Sequence, residues 1–183
     1  MFVSSKFHNI TVSGRAASGA TTLSRALANK LGWTLINPGE IYRQYVKEKG
    51  IPLEKTTAVS DSYHLEMDSL IKTKLKNEKN LIIESWLSGF DAQGIAGVYK
   101  IFVNCSDDAI RLDRIVNRDN MTLDQAKIHL KVREEENLKK WEKIYHTRDI
   151  WNTSLYDLWI DTSKNGPLET FNIVLETIGY HEQ

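Results

Sequence analysis

The chain has 183 residues, 41% of them hydrophobic and 26% charged, enough to bury a core without the help of disulfides. Lys/Arg and Asp/Glu balance at 24 each, which argues against a general polyanion binder, and the single cysteine, Cys105, excludes an internal disulfide. No apolar run of about 18 residues is present to span a membrane, and the opening MFVSSKFHNITVSG lacks the pattern of a secretory signal, so a reduced cytoplasmic setting is expected. The balance is uneven along the chain. Residues 1–50 hold 7 Lys/Arg against 2 Asp/Glu, which suits a phosphate-bearing ligand near the N-terminal third.

In chain order, Phe7–Ser13 reads as a strand with Ile10 and Val12 on one face. Thr21–Leu31 carries Leu23, Ala26, Leu27 and Leu31 at helical spacing, and Gly32 stops it. Trp33–Ile36 is a short second strand ended by Asn37-Pro38-Gly39. Helical patterns follow over about 39–49 and 60–77. Leu81–Ser85 is a continuous apolar run of the kind buried on both faces of a parallel sheet. Tyr99–Val103 and Tyr156–Asp161 give two more strands, with helices over about 107–118 and 123–145 between them. Thr122 and Gln125 form a capping-box pattern at the start of the second helix. Pro167 and Gly179 bracket a last helix bearing Leu168, Phe171, Val174, Leu175 and Ile178. Strands separated by helices indicate an α/β fold with a parallel sheet.

The first strand–helix junction carries the clearest chemistry. In Ser13-Gly14-Arg15-Ala16-Ala17-Ser18-Gly19-Ala20-Thr21-Thr22 the two glycines are separated by four residues, as in the phosphate-binding loop GxxxxGK[ST]. Glycines let the backbone wrap an anion, and the helix N-terminus favours negative charge there. Thr21 stands where the motif's hydroxyl meets Mg2+. Ala20 departs from the motif by replacing its lysine. The alternative is a small-residue turn whose glycines only permit close packing.

Arg111, Arg114 and Arg118 share one helical face, and Arg133, Lys139 and Lys140 add cations on the next helix. Phosphoryl transfer is catalysed by positioning and by cations around the phosphoryl oxygens, which such arginines would supply. Residues 106–149 hold ten basic and ten acidic residues, so a solvated, salt-bridged helix pair is the alternative. Glu134-Glu135-Glu136 reads as a solvated face of this second helix. Trp33 and Trp159, in apolar strands, are expected in the core, and Cys105 reads as a buried, inert thiol. His8, His129, His146 and His181 have no metal-ligand spacing.

Together the loop GRAASGATT, the segment INPGEIYRQYVKEKGIPLE, the strand LIIES, then DRIVNRD and REEENLKKWEKIYH…LYDLWIDTS resemble the short archaeal-type cytidylate kinases of the nucleoside monophosphate kinase family. The resemblance runs from about Ile10 to about Ile178. It implies a three-layer P-loop fold over residues 1–183, with five parallel strands in order 2-3-1-4-5. A helical insertion over about 39–80 would bind the monophosphate, and a lid over about 114–150 would cover ATP. The partners implied are small nucleotides, with no nucleic acid and no membrane, and a monomer is expected.

The resemblance also implies roles. Gly14, Ser18, Gly19, Ala20, Thr21 and Thr22 would hold the ATP phosphates, with the Thr21 hydroxyl on Mg2+ and Glu84 orienting that ion through water. Arg43 would grip the acceptor phosphate, since a guanidinium fork suits that job. Arg114 would lie against adenine, while Arg118, Arg133 and Lys140 would neutralise charge in transfer. Two further positions depart from the family pattern. Trp86 stands where similar enzymes have an arginine in the sequence acid-Gly-Arg after strand 3. His64 stands near where an acid helps to read the cytosine amino group, leaving Asp61 or Asp68 as substitutes. The activity implied is ATP-dependent phosphorylation of CMP or dCMP. The alternatives are a nucleotide-binding relative that has lost turnover and a same-fold kinase for another small acceptor.

Overall fold

A computed structural model describes residues 6–180; His181 lies outside the described residues. Strands β1 (Asn9–Gly14), β2 (Thr34–Ile36), β3 (Leu81–Glu84), β4 (Val98–Asn104) and β5 (Leu158–Asp161) all pair in parallel. Their order is β2-β3-β1-β4-β5, as expected. The helices are α1 (Ala20–Leu31), α2 (Pro38–Glu48), α3 (Asp61–Asn77), α4 (Ser88–Asp91), α5 (Asp108–Asp119), α6 (Leu123–Tyr145) and α7 (Pro167–Thr177). The four-residue α4 gave no periodic signal in the sequence. Among the described residues no helix is long and apolar enough to cross a membrane.

Strand alternation sorts the core into two layers. Ile10 and Val12 of β1 and Ile82 of β3 face α1 and α7, where they meet Leu23, Leu27, Val174 and Ile178. Leu81 and Ile83 point the other way, onto Ile71 and Leu75 of α3. Each fully buried aliphatic side chain stabilises the fold by about 1.5–3 kcal/mol. Asn9 and Ser13 of β1 make side-chain hydrogen bonds on that second face. Asn9 donates to the carbonyls of Leu75 (3.1 Å) and Glu78 (2.9 Å) and accepts from the Leu81 N–H (3.0 Å), tying the end of α3 to the start of β3.

Helix ends follow their local signals. Gly32 closes α1 at φ 67°, in the left-handed region that its missing side chain permits. Both halves of the Thr122–Gln125 capping box are formed at α6. Trp33 packs partly buried against the core and Cys105 is buried. Trp159 corrects its expectation: β5 is the edge strand, and the indole is 45% exposed, stacked on Phe102.

Between α3 and α4, Asp68 and Asp91 are both buried and share a site with Lys72, whose Nζ is 3.4 Å from Asp91. Tyr145, from the end of α6, donates to Asp68. Burial and the neighbouring Asp68 push Asp91 well above the usual carboxylate range. The native state therefore holds a proton that the unfolded chain releases near pH 4. This contribution to stability is fully present below that pH and fades as pH rises towards the folded value. Asp91→Asn should flatten the decline of stability between about pH 5 and 8 and raise the urea midpoint at pH 8. Urea titrations of both proteins across that range check it.

Candidate active site

The central strand, β1, delivers the chain to a loop at the carboxyl edge of the sheet, where open α/β folds bind ligands. Gly14 leaves no room for a side chain: a Cβ there would lie 2.4 Å from Ser18 Oγ and 2.7 Å from the Val103 carbonyl. Three successive carbonyls of the loop are tied outward. Ala16 O accepts from Arg111 Nε (3.1 Å), Ala17 O from Arg114 Nη1 (3.0 Å) and Ser18 O from Thr162 Oγ1 (2.7 Å). Because each peptide is planar and trans, the N–H groups of Ala17, Ser18 and Gly19 face the opposite way, Ser18 N–H turning back onto Arg15 O. Gly19, at φ 97°, opens α1, which has no side-chain cap and no acidic residue in its first turn. The positive end of the helix is left open, and Ser18 Oγ is buried without a partner. An anion fits these groups; a turn serving packing alone would leave them unsatisfied.

Beside the loop, Thr21 Oγ1 donates to Glu84 Oε2 at 3.1 Å, and Asn37 Nδ2 donates to the same oxygen. Asn37 also caps α2 by accepting from the Glu40 N–H at 2.9 Å. Burial raises the Glu84 carboxyl while the Thr21 hydrogen bond and Arg43 oppose the rise. Hydroxyl, carboxylate and loop thus border one cavity. Among the described residues, no three His, Cys, Asp or Glu side chains come together as metal ligands. One carboxylate and one hydroxyl next to a phosphate site still fit Mg2+, which takes few protein ligands and keeps water and phosphate oxygens.

A cavity of about 1020 Å³ opens from this loop between α2, α3 and α6. Six arginines line it, Arg15, Arg25, Arg43, Arg114, Arg118 and Arg133, with no lysine among its lining residues. Their partners differ. Arg15 and the fully buried Arg111 share the Glu134 carboxylate. Arg114 is held by Ala17 and by Thr162, Arg25 pairs with Glu40, and Arg118 forks onto Asp119 at 2.8 and 2.6 Å. Arg43 reaches Glu40 only at 3.9 Å. Arg133 forms no ion pair among the described residues and lies over the Trp86 ring, 5.1 Å from its centroid. Burial, with Arg43 and Arg118 adding repulsion, lowers it to about 10, so it is still cationic at pH 7.

Gly14, Ser18, Gly19, Ala20, Thr21, Thr22, Glu84, Arg43, Asp68, Arg114, Arg118 and Arg133 all line this cavity. Lys140 and Asp61 do not. Lys140 is buried, donating to Val59 O and to Asp61 at 2.6 Å, and Lys143 takes the other Asp61 oxygen. These lysines hold Asp61 down to about 2, and the cluster pins the start of α3 to α6 rather than meeting a ligand. Glu134 also departs from the solvated face expected of it, being the partner of two arginines. Arg111 is an internal strut rather than a cavity cation. At the α3 end, His64 and Tyr63 line the cavity with His64 Nε2 and the Tyr63 hydroxyl unpartnered. Burial, then Lys140, pushes His64 down to about 4, so it is neutral at pH 7. Sequence reasoning missed Arg15, Asn37 and Thr162. Only Thr162 carried a usable signal, its place just past the carboxyl end of a parallel strand.

Residues 9–164 match the model of the cytidylate kinase-like family. The chain belongs to that family. The cytidylate kinase of Pyrococcus furiosus is 35% identical over 174 residues, covering 93% of this chain and 88% of that protein. The Methanosarcina acetivorans cytidylate kinase is 33% identical over 168 residues, covering 90% and 93%. In this family setting the chain is a nucleoside monophosphate kinase, a phosphotransferase. The fold alone is shared with more distant kinases. A gluconokinase from Sinorhizobium meliloti superposes with TM-score 0.61 at 15% identity over 95% of this chain and 93% of that one. A shikimate kinase from Acinetobacter baumannii gives 0.57 at 15% over 94% and 93%.

Within the cytidylate kinase-like fold, Arg111 fixes the loop, α5 and α6 at once, through Ala16 O, Asp108 and Glu134. Removing one member of a buried pair costs about 3–5 kcal/mol, and here Glu134 keeps Arg15. Arg111→Met should therefore destabilise the protein by about 2–4 kcal/mol, read as a lower urea midpoint with an unchanged slope.

Proposed function

We propose that this kinase transfers the γ-phosphoryl group of ATP to the phosphate of CMP or dCMP. The observation that carries the reading is that Arg133 and Arg43, neither closely paired with a carboxylate, line the same cavity as the open N-terminus of α1. Two anionic groups brought to that space would meet donors both from the loop and from these arginines. Loop amides and the α1 terminus bind the donor phosphates, and Arg114, fixed by Ala17 and Thr162, offers its plane beside them. The helical stretch over about 39–80 is the acceptor-binding insertion and residues 114–150 form the lid. Thr21 and Glu84 are the groups available to Mg2+, which when bound supplies charge neutralisation at the donor phosphates.

Arg43 grips the acceptor phosphate, and Arg118 and Arg133 surround the group in transfer. An acceptor oxygen forms a bond to the γ-phosphorus as the bond to the β–γ bridging oxygen breaks, releasing ADP. No protein nucleophile and no strong base are needed, since orientation and cationic stabilisation supply the acceleration. Neutral His64 and the buried Asp68 line the cavity from α3, and a cytosine ring offers them both a donor amino group and acceptors. The cytidylate kinases among the relatives support that choice of base.

A coupled ADP-release assay with CMP, dCMP, UMP and AMP tests the reading. CMP and dCMP should be consumed with higher kcat/KM than UMP or AMP; no turnover of any of the four overturns it. A charge-assisted contact is worth about 1.5–3 kcal/mol, so Arg43→Ala should raise the KM for CMP by about one to two decades with that for ATP nearly unchanged. An equal rise for both substrates would contradict the assignment.

A further inference from the structure

We infer that Trp86 is a positioning residue of this site, its indole face holding the Arg133 guanidinium toward the acceptor's phosphate. The inference rests on the phosphotransfer reading of the cavity given above. A long cationic side chain among other cations needs something to keep it in place. Arg133 faces Arg43 and Arg118, and both repel it. The acids on its own helix are committed elsewhere: Glu134 to Arg15 and Arg111, Glu135 to Arg148, Glu136 to Thr57. Asp119, at the end of α5, also attracts it but is forked by Arg118, while the Arg133 guanidinium carbon lies over the Trp86 ring, 5.1 Å from its centroid.

That ring is itself held firmly. Trp86 meets Trp141 at 5.6 Å in an edge-to-face arrangement and Trp151 at 5.9 Å. Trp141 and Trp151 meet each other edge-to-face at 5.9 Å, which closes a triangle of indoles. Trp151 Nε1 also donates to the Trp86 carbonyl at 3.4 Å. Aromatic contacts of this geometry add specific attraction to the packing, so the platform under Arg133 is rigid. Trp86 follows β3 two residues after Glu84, and both line the cavity.

The chemistry of the support matters as much as its position. A carboxylate would hold Arg133 equally well but would compete with an incoming phosphate for the same N–H donors. An indole face attracts the cation through its quadrupole and leaves every N–H free. The arginine is thereby fixed in place with its charge uncompensated. A dianionic phosphate then meets Arg133 donors for which no ion pair has to be broken first.

The test is a double-mutant cycle on the full-length protein: wild type, Trp86→Leu, Arg133→Met and the double variant, with Trp86→Phe as the conservative control. Thermal midpoints are recorded for all five. Trp86→Leu should lower kcat/KM for CMP about tenfold while the KM for ATP stays within about twofold. Trp86→Phe, which keeps an aromatic face, should recover most of that loss. In the Arg133→Met background the Trp86→Leu change should add no further loss, because the residue it supports is gone. A tenfold loss of equal size in both backgrounds would overturn the inference and leave Trp86 as packing for Trp141 and Trp151. Should the wild type phosphorylate no nucleoside monophosphate, the functional reading fails on its own. The same cycle is then read from CMP affinity by calorimetry, where additive losses, or no CMP binding by the wild type, would likewise overturn the positioning role.

Discussion

Glu134 lies between Arg15 of the loop and Arg111 of α5, and much of the site follows from that one carboxylate. A buried guanidinium such as Arg111 is tolerated only with a charged partner and further acceptors, which Asp108 and Ala16 O complete. The triad locks α6 to the phosphate loop and to α5 in a single register. It also takes up the acid next in sequence to Arg133, so the cation aimed into the cavity has no such partner on its own helix. Structural pairing and functional charge are set by adjacent residues of one helix turn.

The arginines divide into two kinds of work. Arg111 and Arg114 shape the loop by drawing its carbonyls outward, while Arg43, Arg118 and Arg133 line the space in front of it. Ala20 removes the cation that the phosphate loop pattern normally provides from within. The charge instead comes from α2, α5 and α6, on elements packed around the cavity. Guanidinium groups suit this arrangement because several can share a phosphate without losing their fork geometry. For phosphoryl transfer, where little covalent chemistry falls to the protein, such a shell supplies both orientation and electrostatic stabilisation.

Much of the fold was legible because buried faces impose a period. Ile10 and Val12 announce β1, and the Thr122–Gln125 pair announces α6, each through local physics that the tertiary structure leaves unchanged. Strand order came with the family resemblance, since periodicity says nothing about neighbours. At the site, helical phase was readable but distance along the axis was not. Arg111 and Arg118 are seven residues apart on one face, yet about 10 Å of axis separates a buried strut from a cavity cation. The same seven residues separate Arg133, in the cavity, from Lys140, which is drawn to Asp61 instead. Nor could three consecutive glutamates reveal that Glu134 alone turns inward. The edge position of β5, which exposes Trp159, is a fact of topology rather than of the apolar run that encodes the strand.

Among the described residues Arg133 forms no ion pair, which leaves a phosphate to be its partner. A crystal structure with CMP and a non-hydrolysable ATP analogue would show whether it is. The CMP phosphate should lie within hydrogen-bonding distance of Arg43 and Arg133, with the Arg133 guanidinium still resting on the Trp86 face and the triphosphate on the loop amides. A CMP phosphate bound away from both arginines, or an Arg133 turned onto a carboxylate of the protein, would contradict it.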